Sequence, residues 1–386
     1  MLVLFVLPVV SLIRLVRPWF LFRFDCVHNR MGHFSGDLEL YLCGLDLYSD
    51  VPKKKYLDVF CVCPPACNSQ LLLMWSRVLN WKPFWFVNSV LHANRLIPGG
   101  QVHEIKMHSR MGDRDIHGWL EVTKPHLKFT SEEEIKGENT LREFGLPKDC
   151  RFICLQVRDG VYHNDLFLYS HRNSDIDSYV LMAEKMAQMG YYVIRMGAKV
   201  GKRFNSKNDK IIDYPFSGQQ NDFNDVYLGY KCFFCVTTNS GWDAIPRYLF
   251  RKPSVVTNSS RLAYEHTFFS NSIFITKKHV DIATNKFLGI SEIVARGVHL
   301  GDPYESRGVR LVDHTPEEIL EVTLEMVQRL DGSWKSMPED EKLQEQFWKL
   351  FPIESRDVEF GTRLHGEIKA RCGANFLRKN HEWLLE

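Results

Sequence analysis

A doubly wound α/β domain is the fold class that the sequence predicts, and two observations lead to it. From residue 151 onward, short apolar runs alternate with amphipathic stretches of helical length. This alternation is typical of βαβ units in a parallel sheet that is covered on both faces. Further along, Thr315-Pro316-Glu317-Glu318 forms a capping box with proline in the first helical position, which predicts a helix over 319–330.

Each element of this domain is predicted from its own residues. β-Branched and aromatic residues between polar turns indicate strands, and apolar residues at helical spacing indicate helices. Gly190 ends the first helix, and Pro246 lies inside the third, where we expect a kink. The predicted strands are RFICLQVR (151–158), YYVIRMG (191–197), KIIDYPF (210–216), CFFCVTT (232–238) and KPSVVTN (252–258), and the predicted helices are 174–190, 221–230 and 241–250.

The first 147 residues are less regular. Ser131 and Glu134 form an S-x-x-E capping box that predicts a helix over 131–145, and residues 146–149 are typical of a linker. The sequence therefore predicts a first domain over 1–147, a second over 148–335, and a C-terminal part over 336–386. We expect the helices of that part, at 341–351 and 376–385, to pack back on the first domain.

The N-terminus is apolar for about its first dozen residues, and Arg14, Arg17 and Arg23 follow. This span is short for a transmembrane helix, and its charges follow it instead of preceding it, unlike those of a signal peptide. Two interpretations remain open. One is a short hydrophobic lead-in to a core strand over 19–24. The other is a monotopic anchor with Trp19, Phe20 and the arginines at a lipid headgroup surface.

Composition narrows the functional classes. The chain has 386 residues, of which 45% are hydrophobic and 25% charged, enough for two ordinary domains. Its 49 basic and 47 acidic residues give a formal charge of +2, so no general attraction to nucleic acid is expected. Ten cysteines, several in apolar strand-like runs, fit a reducing, cytoplasm-facing compartment.

Three predicted strands end in polar residues that could meet a ligand. In a doubly wound sheet, ligands bind beyond the carboxyl ends of the strands. Those ends carry Arg158-Asp159, Arg195-Met196-Gly197 and a third polar stretch, which we call the polar turn and which consists of Thr237, Thr238, Asn239, Ser240 and Gly241.

The polar turn has a physical interpretation as an anion site. Ser240 would cap the following helix, and Gly241 would let the backbone approach a ligand without a Cβ. Free N–H groups and the positive end of the helix dipole then favour a phosphate or diphosphate. The competing interpretation is an ordinary strand-to-helix turn.

A second cluster lies at the start of the helix over 174–190, in the stretch YSHRNSDIDSY (169–179). It brings together His171, Arg172 and Asn173, and with Arg158 it offers two guanidinium groups for diphosphate oxygens. Alternatively, Arg172 pairs with Asp175 or Asp177 on the surface. These two aspartates match a bare D-x-D pattern, but in a first helical turn they complement the helix dipole, so no metal is assigned to them.

A third element is HNRMGHFSGDLELYL (28–42), where Gly32 is expected to permit a turn after the first strand. His33 is the candidate general base because an imidazole titrates near neutral pH, with Asp37 behind it. A structural histidine is the competing interpretation.

Other catalytic and metal-binding signatures are missing from the sequence. The spacing of Cys61, Cys63 and Cys67 lacks the paired C-x-x-C of a structural zinc site, and the thiols of Cys232 and Cys235 are expected to point apart. The chain also has no G-x-S-x-G, P-loop or dinucleotide-binding glycine motif in a suitable context. We therefore expect no metal and no cofactor.

Taken in order, several segments resemble a bacterial family of glycosyltransferases linked to surface polysaccharide synthesis. The resemblance spans residues 17 to 350. It rests on NRMGHF with ELYL, IPGG (97–100), VRDGVY, YSHRNSDIDSY, GYYVIRMGA, the D-F-x-D-x-Y-L run (222–228) and TTNSGWDAIP. It implies a GT-B architecture of two facing Rossmann-like domains, with a nucleotide-sugar donor on the C-terminal domain, a glycan or lipid-linked acceptor on the N-terminal one, and no bound metal.

The resemblance also implies roles for individual residues. Donor diphosphate contacts fall to Arg158, Arg172, Asn173, Asn239, Ser240 and Gly241. Nucleotide contacts fall to Arg195, Gly197 and Asp222, and the acceptor loop to Arg30 and Gly32. His33 or Asp37 would take the acceptor proton. The expected location is cytoplasmic, with contact to the inner face of the cell membrane as an option.

Two rival functions stay open. A non-hydrolysing sugar-nucleotide epimerase has a similar D-S-G-G-like turn, but here Trp242 replaces the second glycine and no convincing set of carboxylates for elimination is evident. The other rival is a non-catalytic nucleotide-sugar-binding protein at a membrane.

Overall fold

The fold was analysed in a computed structural model that describes residues 2–48, 51–105, 114–161, 170–301, 303–359 and 361–384. Tyr162, Tyr169 and Leu385 of the motifs above lie outside the described residues. The helices are α1 Leu2–Val16, α2 Met31–Asp46, α3 Ser69–Ser76, α4 Phe84–Arg95, α5 Trp119–Val122, α6 Ser131–Glu143, α7 Val180–Gln188, α8 Asp222–Lys231, α9 Ile290–Ala295, α10 Pro316–Asp331, α11 Pro338–Leu350 and α12 Ala374–Lys379. The strands are β1 Phe20–Val27, β2 Lys55–Val62, β3 Phe152–Gln156, β4 Tyr192–Arg195, β5 Ile211–Asp213, β6 Phe234–Thr237, β7 Ser254–Ser259, β8 Ser272–Thr276, β9 Lys278–Asp281, β10 Val309–Val312 and β11 Arg371–Cys372.

A seven-stranded sheet with the order β11-β8-β7-β6-β3-β4-β5 organises the second half of the chain. Every pair of neighbouring strands in it is parallel. The chain moves outward from β3 to β5 and then returns to the other side of β3 with β6, so the strand order reverses between β3 and β6. The α/β class and the large parallel sheet are therefore confirmed.

The first half of the chain has a smaller sheet than a second Rossmann-like domain would have. β1 and β2 form a two-stranded parallel sheet, and α2 connects them as one βαβ unit. Within the described residues this unit gains only isolated bridges at Glu104 and Trp81. The arrangement of two facing Rossmann-like domains is not confirmed.

One apolar core joins the two halves. It contains Phe34 and Trp75 from the first half and Ile194, Leu228 and Trp242 from the second. Helix α2 is buried without interruption over residues 34–44. A helix that is buried on all sides lies inside a core, so α2 is the element on which the two halves meet.

The C-terminal helices differ from the expectation. Strand β11 extends the large sheet beside β8, and Phe347, Phe351 and Phe376 belong to the core of that sheet. The apolar faces of α11 and α12 therefore pack into the core of the large sheet and not on the first half of the chain. Contact with the first half comes from the preceding loop, where the Arg114 Nε donates to the Leu364 carbonyl at 2.9 Å.

Several predicted boundaries shift by one or a few residues. The capping box of α6 is formed by Thr130 and Glu133, one residue before the predicted pair, whereas that of α10 is formed by Thr315 and Glu318 as predicted. The predicted helix over 241–250 is a five-residue π-helical segment, Ile245–Leu249. Pro246 lies in its first turn, where the missing N–H costs no intrahelical bond, so the expected kink does not arise.

The apolar N-terminus forms α1, which packs on α4 and β1. The core strand that was expected over 19–24 is β1 and runs further, to Val27. Among the described residues, no helix is both long enough and apolar enough to cross a membrane.

Candidate functional site

The candidate site lies where the strand order of the large sheet reverses. At such a switch point, the loops after the two central strands diverge and leave a crevice outside their carboxyl ends. Here those strands are β3 and β6, so this rule directs a ligand to the strand ends that carry Arg158 and its neighbours on one side and the polar turn on the other. The Arg158 N–H donates to the Thr238 Oγ1 at 3.0 Å, which ties the two loops together.

The polar turn is held in an uncommon backbone conformation. Asn239 has a φ of 55°, in the left-handed region. Its amide nitrogen lies 3.3 Å from both carboxylate oxygens of Glu265, and its amide oxygen accepts from the Arg247 NH1 at 3.1 Å. Both partners are buried. The turn is therefore fixed by charged groups beneath it, a costly arrangement that is common at functional sites.

The expected helix cap at Ser240 is wrong. The residue before the π-helical segment is Ala244, three positions after Gly241, and no side chain caps this segment. Trp242 explains the delay, because its indole is buried in the shared core and its Nε1 donates to the Asp225 carbonyl at 3.0 Å. A positive helix end therefore does not follow Gly241 directly.

Arg172 faces the polar turn. Its NH2 donates to the Asn239 carbonyl at 2.6 Å. The aspartates of the alternative surface pairing, Asp175 and Asp177, both accept from Lys202. The backbone N–H of Asp177 and the Lys202 ammonium hold the pKa of Asp175 below its ordinary value.

The loop that carries Asn173 is anchored from two sides. Lys277, which is buried, donates to the Asn173 carbonyl at 2.7 Å and pairs with Asp313 at 2.6 Å. Gly160 has a φ of 79°, and a Cβ there would lie 2.6 Å from the Asn173 amide nitrogen. The backbone of Arg158 and the guanidinium of Arg172 contact the polar turn, and Asn173 follows Arg172 on this anchored loop.

The start of α2 meets the polar turn directly. A Cβ added to Gly241 would lie 3.3 Å from the Gly32 nitrogen and 3.5 Å from the Met31 Cβ, and one added to Gly32 would lie 3.6 Å from the Gly241 Cα. The two glycines let the backbones of the first and second halves touch. Gly32 is in the first turn of α2 and not in the loop that the sequence suggested.

This first turn of α2 supplies the positive helix end that was expected after Gly241. Helix α2 has 16 residues, its N-cap residue is the exposed Arg30, and no side chain caps it. The first N–H groups of a helix have no intrahelical partner and carry the positive end of its dipole. Arg30 adds a cation at the same end.

His33 and Asp37 form a pair one turn apart on α2. The His33 Nδ1 lies 3.3 Å from the Asp37 Oδ2, and the side chains are 29% and 6% exposed. The His28 ring lies 5.3 Å from that of His33. The pair therefore places a partly exposed imidazole, oriented by a buried carboxylate, in the same turn of α2 as Gly32.

The three residues assigned to the nucleotide are engaged elsewhere in the fold. Arg195 is 1% exposed and its NH1 donates to Asp213 at 3.0 Å. Gly197, with a φ of 146°, accepts at its carbonyl from Gln220 at 2.6 Å. Asp222 accepts from the Ser69 N–H and hydroxyl at 2.7 and 2.6 Å. These contacts favour structural roles, and we leave the three residues out of the proposed site.

The role of Asp222 can be tested. Because its carboxylate binds the first N–H of α3, Asp222→Ala is expected to lower the free energy of unfolding by about 1 kcal/mol. Affinity for nucleoside diphosphates should not change. Urea denaturation and calorimetry measure the two quantities. Asp222→Asn keeps an acceptor oxygen and serves as the control; unchanged stability with lost nucleotide affinity would restore the sequence-based interpretation.

One group of side chains has the donor atoms of a metal site. Glu39, Cys43 and His126 place their ligand atoms within 4.8 Å of one another. However, the Arg251 NH2 lies 2.7 Å from the Glu39 Oε1 and already supplies a positive charge. Burial alone would lower the pKa of His126, but its hydrogen bonds to Cys43 and Glu39 and the Glu39 charge raise the pKa to about 10. A protonated imidazole competes with a metal, so we assign none.

Sequence reasoning missed the residues that support the polar turn from below. Glu265 and Arg247 bond to Asn239, and Lys277 bonds to the neighbouring Asn173 carbonyl; each of the three is buried. Glu265 and Lys277 are distant from the motifs in sequence, whereas Arg247 directly follows Pro246 of TTNSGWDAIP. The sequence indicated these residues only in part, because they are charged residues next to apolar runs. Their partners come from folding and not from local patterns.

No protein-family model matches the chain, and no curated protein matches it. Among solved structures, the ADP-heptose LPS heptosyltransferase II of E. coli is 13% identical, with a TM-score of 0.45 and coverage of 81% of this chain and 99% of that one. A glycosyl transferase family 9 protein from Veillonella parvula DSM 2008 is 10% identical, with a TM-score of 0.47 and coverage of 81% and 98%. S. aureus MnaA with UDP is 13% identical, with a TM-score of 0.24 and coverage of 88% and 81%. Likenesses of this size do not establish a shared fold or function.

Proposed function

We propose that this protein is a glycosyltransferase that moves a sugar from a nucleotide-diphosphate donor to a glycan or lipid-linked acceptor. The single observation that carries the proposal is the contact between Gly32 and Gly241. It puts the first turn of α2, with its positive helix end and the His33–Asp37 pair, against the polar turn, which the Arg172 guanidinium also contacts. The sequence resemblance described above supplies the reaction class.

The donor diphosphate is proposed to lie in the crevice outside the carboxyl ends of β3 and β6. The backbone N–H of Arg158 and the guanidinium of Arg172 both contact the polar turn, and guanidinium groups bind phosphate oxygens in a bidentate manner. The N-terminus of α2 favours the same negative charge. As the bond between the sugar and the diphosphate breaks, these donors would stabilise the charge that develops on the leaving group.

His33 is proposed as the general base. In the tautomer whose Nδ1–H donates to Asp37, Nε2 carries no proton and is able to take one. The acceptor hydroxyl oxygen forms a bond to the anomeric carbon, and the carbon–oxygen bond to the diphosphate breaks with its electron pair leaving on the nucleotide. The hydroxyl proton moves to His33.

The remaining features of the proposal follow from the resemblance. They are a GT-B arrangement with the acceptor side in residues 1–147 and the donor side in 148–335, catalysis without a metal, and a role in polysaccharide biosynthesis on the cytoplasmic side of the membrane. Contact of the protein with a membrane surface is argued below from α1.

The glycine contact offers a matched pair of variants. A Cβ at position 241 lies closer to α2 than ordinary contacts allow, so Gly241→Ala should displace the start of α2 and reduce kcat by about tenfold or more. Gly32→Ala adds a Cβ at an ordinary distance and should keep kcat. Steady-state kinetics of both variants decide the matter: equal kcat values for Gly241→Ala and the unchanged protein would remove the contact from the mechanism.

Incubation with a panel of nucleotide sugars tests the function itself. A transferase releases nucleoside diphosphate, slowly by hydrolysis and faster with an acceptor, whereas an epimerase interconverts the sugars and a non-catalytic protein only binds. The epimerase gains some support from the buried Glu265 carboxylate at Asn239. Epimerised nucleotide sugar without released diphosphate would therefore favour that rival and contradict the proposal.

A further inference from the structure

Helix α1 buries one apolar face against the first half of the chain. Val6, Val10 and Ile13 are buried and pack with Val87 and Val90 of α4. This spacing of three and four residues is that of one helical stripe. The face fixes α1 on the fold, so the helix is part of the folded protein.

The opposite face of α1 is also apolar, and solvent reaches it. Phe5 is 73% exposed, Leu12 59% and Leu15 69%, and Trp19, directly after the helix, is 73% exposed. Phe5, Leu12 and Leu15 recur at seven and three positions and form a second stripe on α1, and Trp19 lies in the turn that follows the helix. Leu96 is 75% exposed in the loop whose carbonyls bind Arg14. Several large exposed apolar side chains on one short segment are typical of an interaction site.

Basic residues surround the C-terminal end of this stripe. The Lys54 Nζ donates to the Arg17 carbonyl at 3.5 Å, which brings the exposed Lys53, Lys54 and Lys55 next to α1. Residues 1–24 contain no aspartate or glutamate. Apolar side chains with Trp at one end and cations beside them have the chemistry of the boundary between acyl chains and anionic headgroups.

We propose that the stripe of Phe5, Leu12, Leu15 and Trp19 docks on a lipid bilayer that carries anionic headgroups. The helix lies in the interface with its second face in the acyl region, while Arg17 and Lys53–Lys55 contact the headgroups. In this proposal α1 belongs to the core through one face and to the membrane through the other, which combines the two interpretations of the N-terminus. The docking is independent of the sugar-transfer proposal.

Vesicle cosedimentation tests the docking. Deleting α1 would also remove Val6 and Val10 from the core, so the test uses exposed positions only. The triple variant Leu12→Gln, Leu15→Gln, Trp19→Gln is compared with Ile135→Gln, Ile282→Gln, Val358→Gln, which changes three residues that are 60%, 52% and 76% exposed elsewhere. On vesicles of phosphatidylcholine and phosphatidylglycerol, the first triple should partition more than about tenfold more weakly than the native chain, and the second equally well.

Two charge-reversal substitutions distinguish an anionic lipid surface from other occupants of the stripe. Arg17→Glu with Lys54→Glu should weaken partitioning to the anionic vesicles by roughly tenfold, and added salt should do the same. Failure of the native chain to bind these vesicles would overturn the proposal. So would equal binding by the α1 triple, or a native dimer in solution that the α1 triple converts to a monomer, since a second copy would then cover the stripe.

Discussion

Replacing His33 by alanine is expected to lower kcat by about 10²- to 10⁴-fold while leaving the affinity for nucleoside diphosphate unchanged. The reason is its position: His33 lies on α2 with its Nδ1 3.3 Å from Asp37, and the donor contacts are contributed mainly by the other half of the chain. Steady-state assays of nucleoside diphosphate release measure kcat, and titration calorimetry measures the affinity for nucleoside diphosphate.

His28 provides the matched control for this variant. The His28 ring lies 5.3 Å from that of His33, but His28 precedes α2. The proposed mechanism gives His28 no role in proton transfer. His28→Ala should keep kcat within about twofold. Asp37→Asn should lower kcat with little change in KM, because the imidazole loses the partner that sets its tautomer. A full kcat in His33→Ala would refute its role as the base.

Replacing Arg172 by alanine should weaken the binding of nucleoside diphosphate by roughly tenfold to a hundredfold. Its guanidinium NH2 lies 2.6 Å from the Asn239 carbonyl, so it both orders the polar turn and faces the proposed diphosphate. A charge-assisted hydrogen bond contributes about 1.5–3 kcal/mol, which corresponds to this range.

Lys202→Ala is the control for lost positive charge. Lys202 pairs with Asp175 and Asp177, a few residues beyond Arg172, and is more than half exposed. Its removal should leave nucleotide affinity unchanged, since the ion pairs are at the surface. If both variants lost nucleotide affinity equally, Arg172 would act through general electrostatic attraction and not through a specific contact.

The α/β class and most elements of the second half could be predicted from the sequence because their signals are local. The capping box at Thr315 and the helix end at Gly190 each depend on neighbouring residues and are confirmed. The small β1–β2 sheet, the placement of α11 and α12 at the sheet edge, and the π-helical segment depend on distant partners, so local patterns did not reveal them.

The candidate site shows the same division. Arg158 and the polar turn were grouped from a general rule about strand ends, and Arg172 was added from its place at the start of a predicted helix. The strand order then placed the two strand ends at the switch point. Ser240 was misread as a cap because Trp242 is drawn into the core before the helix begins. Asp222 was assigned to the nucleotide from the resemblance, whereas its carboxylate accepts from Ser69, a partner that is distant in sequence.

The most direct test of the account is a crystal structure of the protein with a bound nucleoside diphosphate. We expect the diphosphate between the carboxyl ends of β3 and β6, with its oxygens within hydrogen-bonding distance of the Arg172 guanidinium and close to the first turn of α2. A nucleotide bound away from the polar turn, with Arg172 and Gly32 out of contact, would contradict the account.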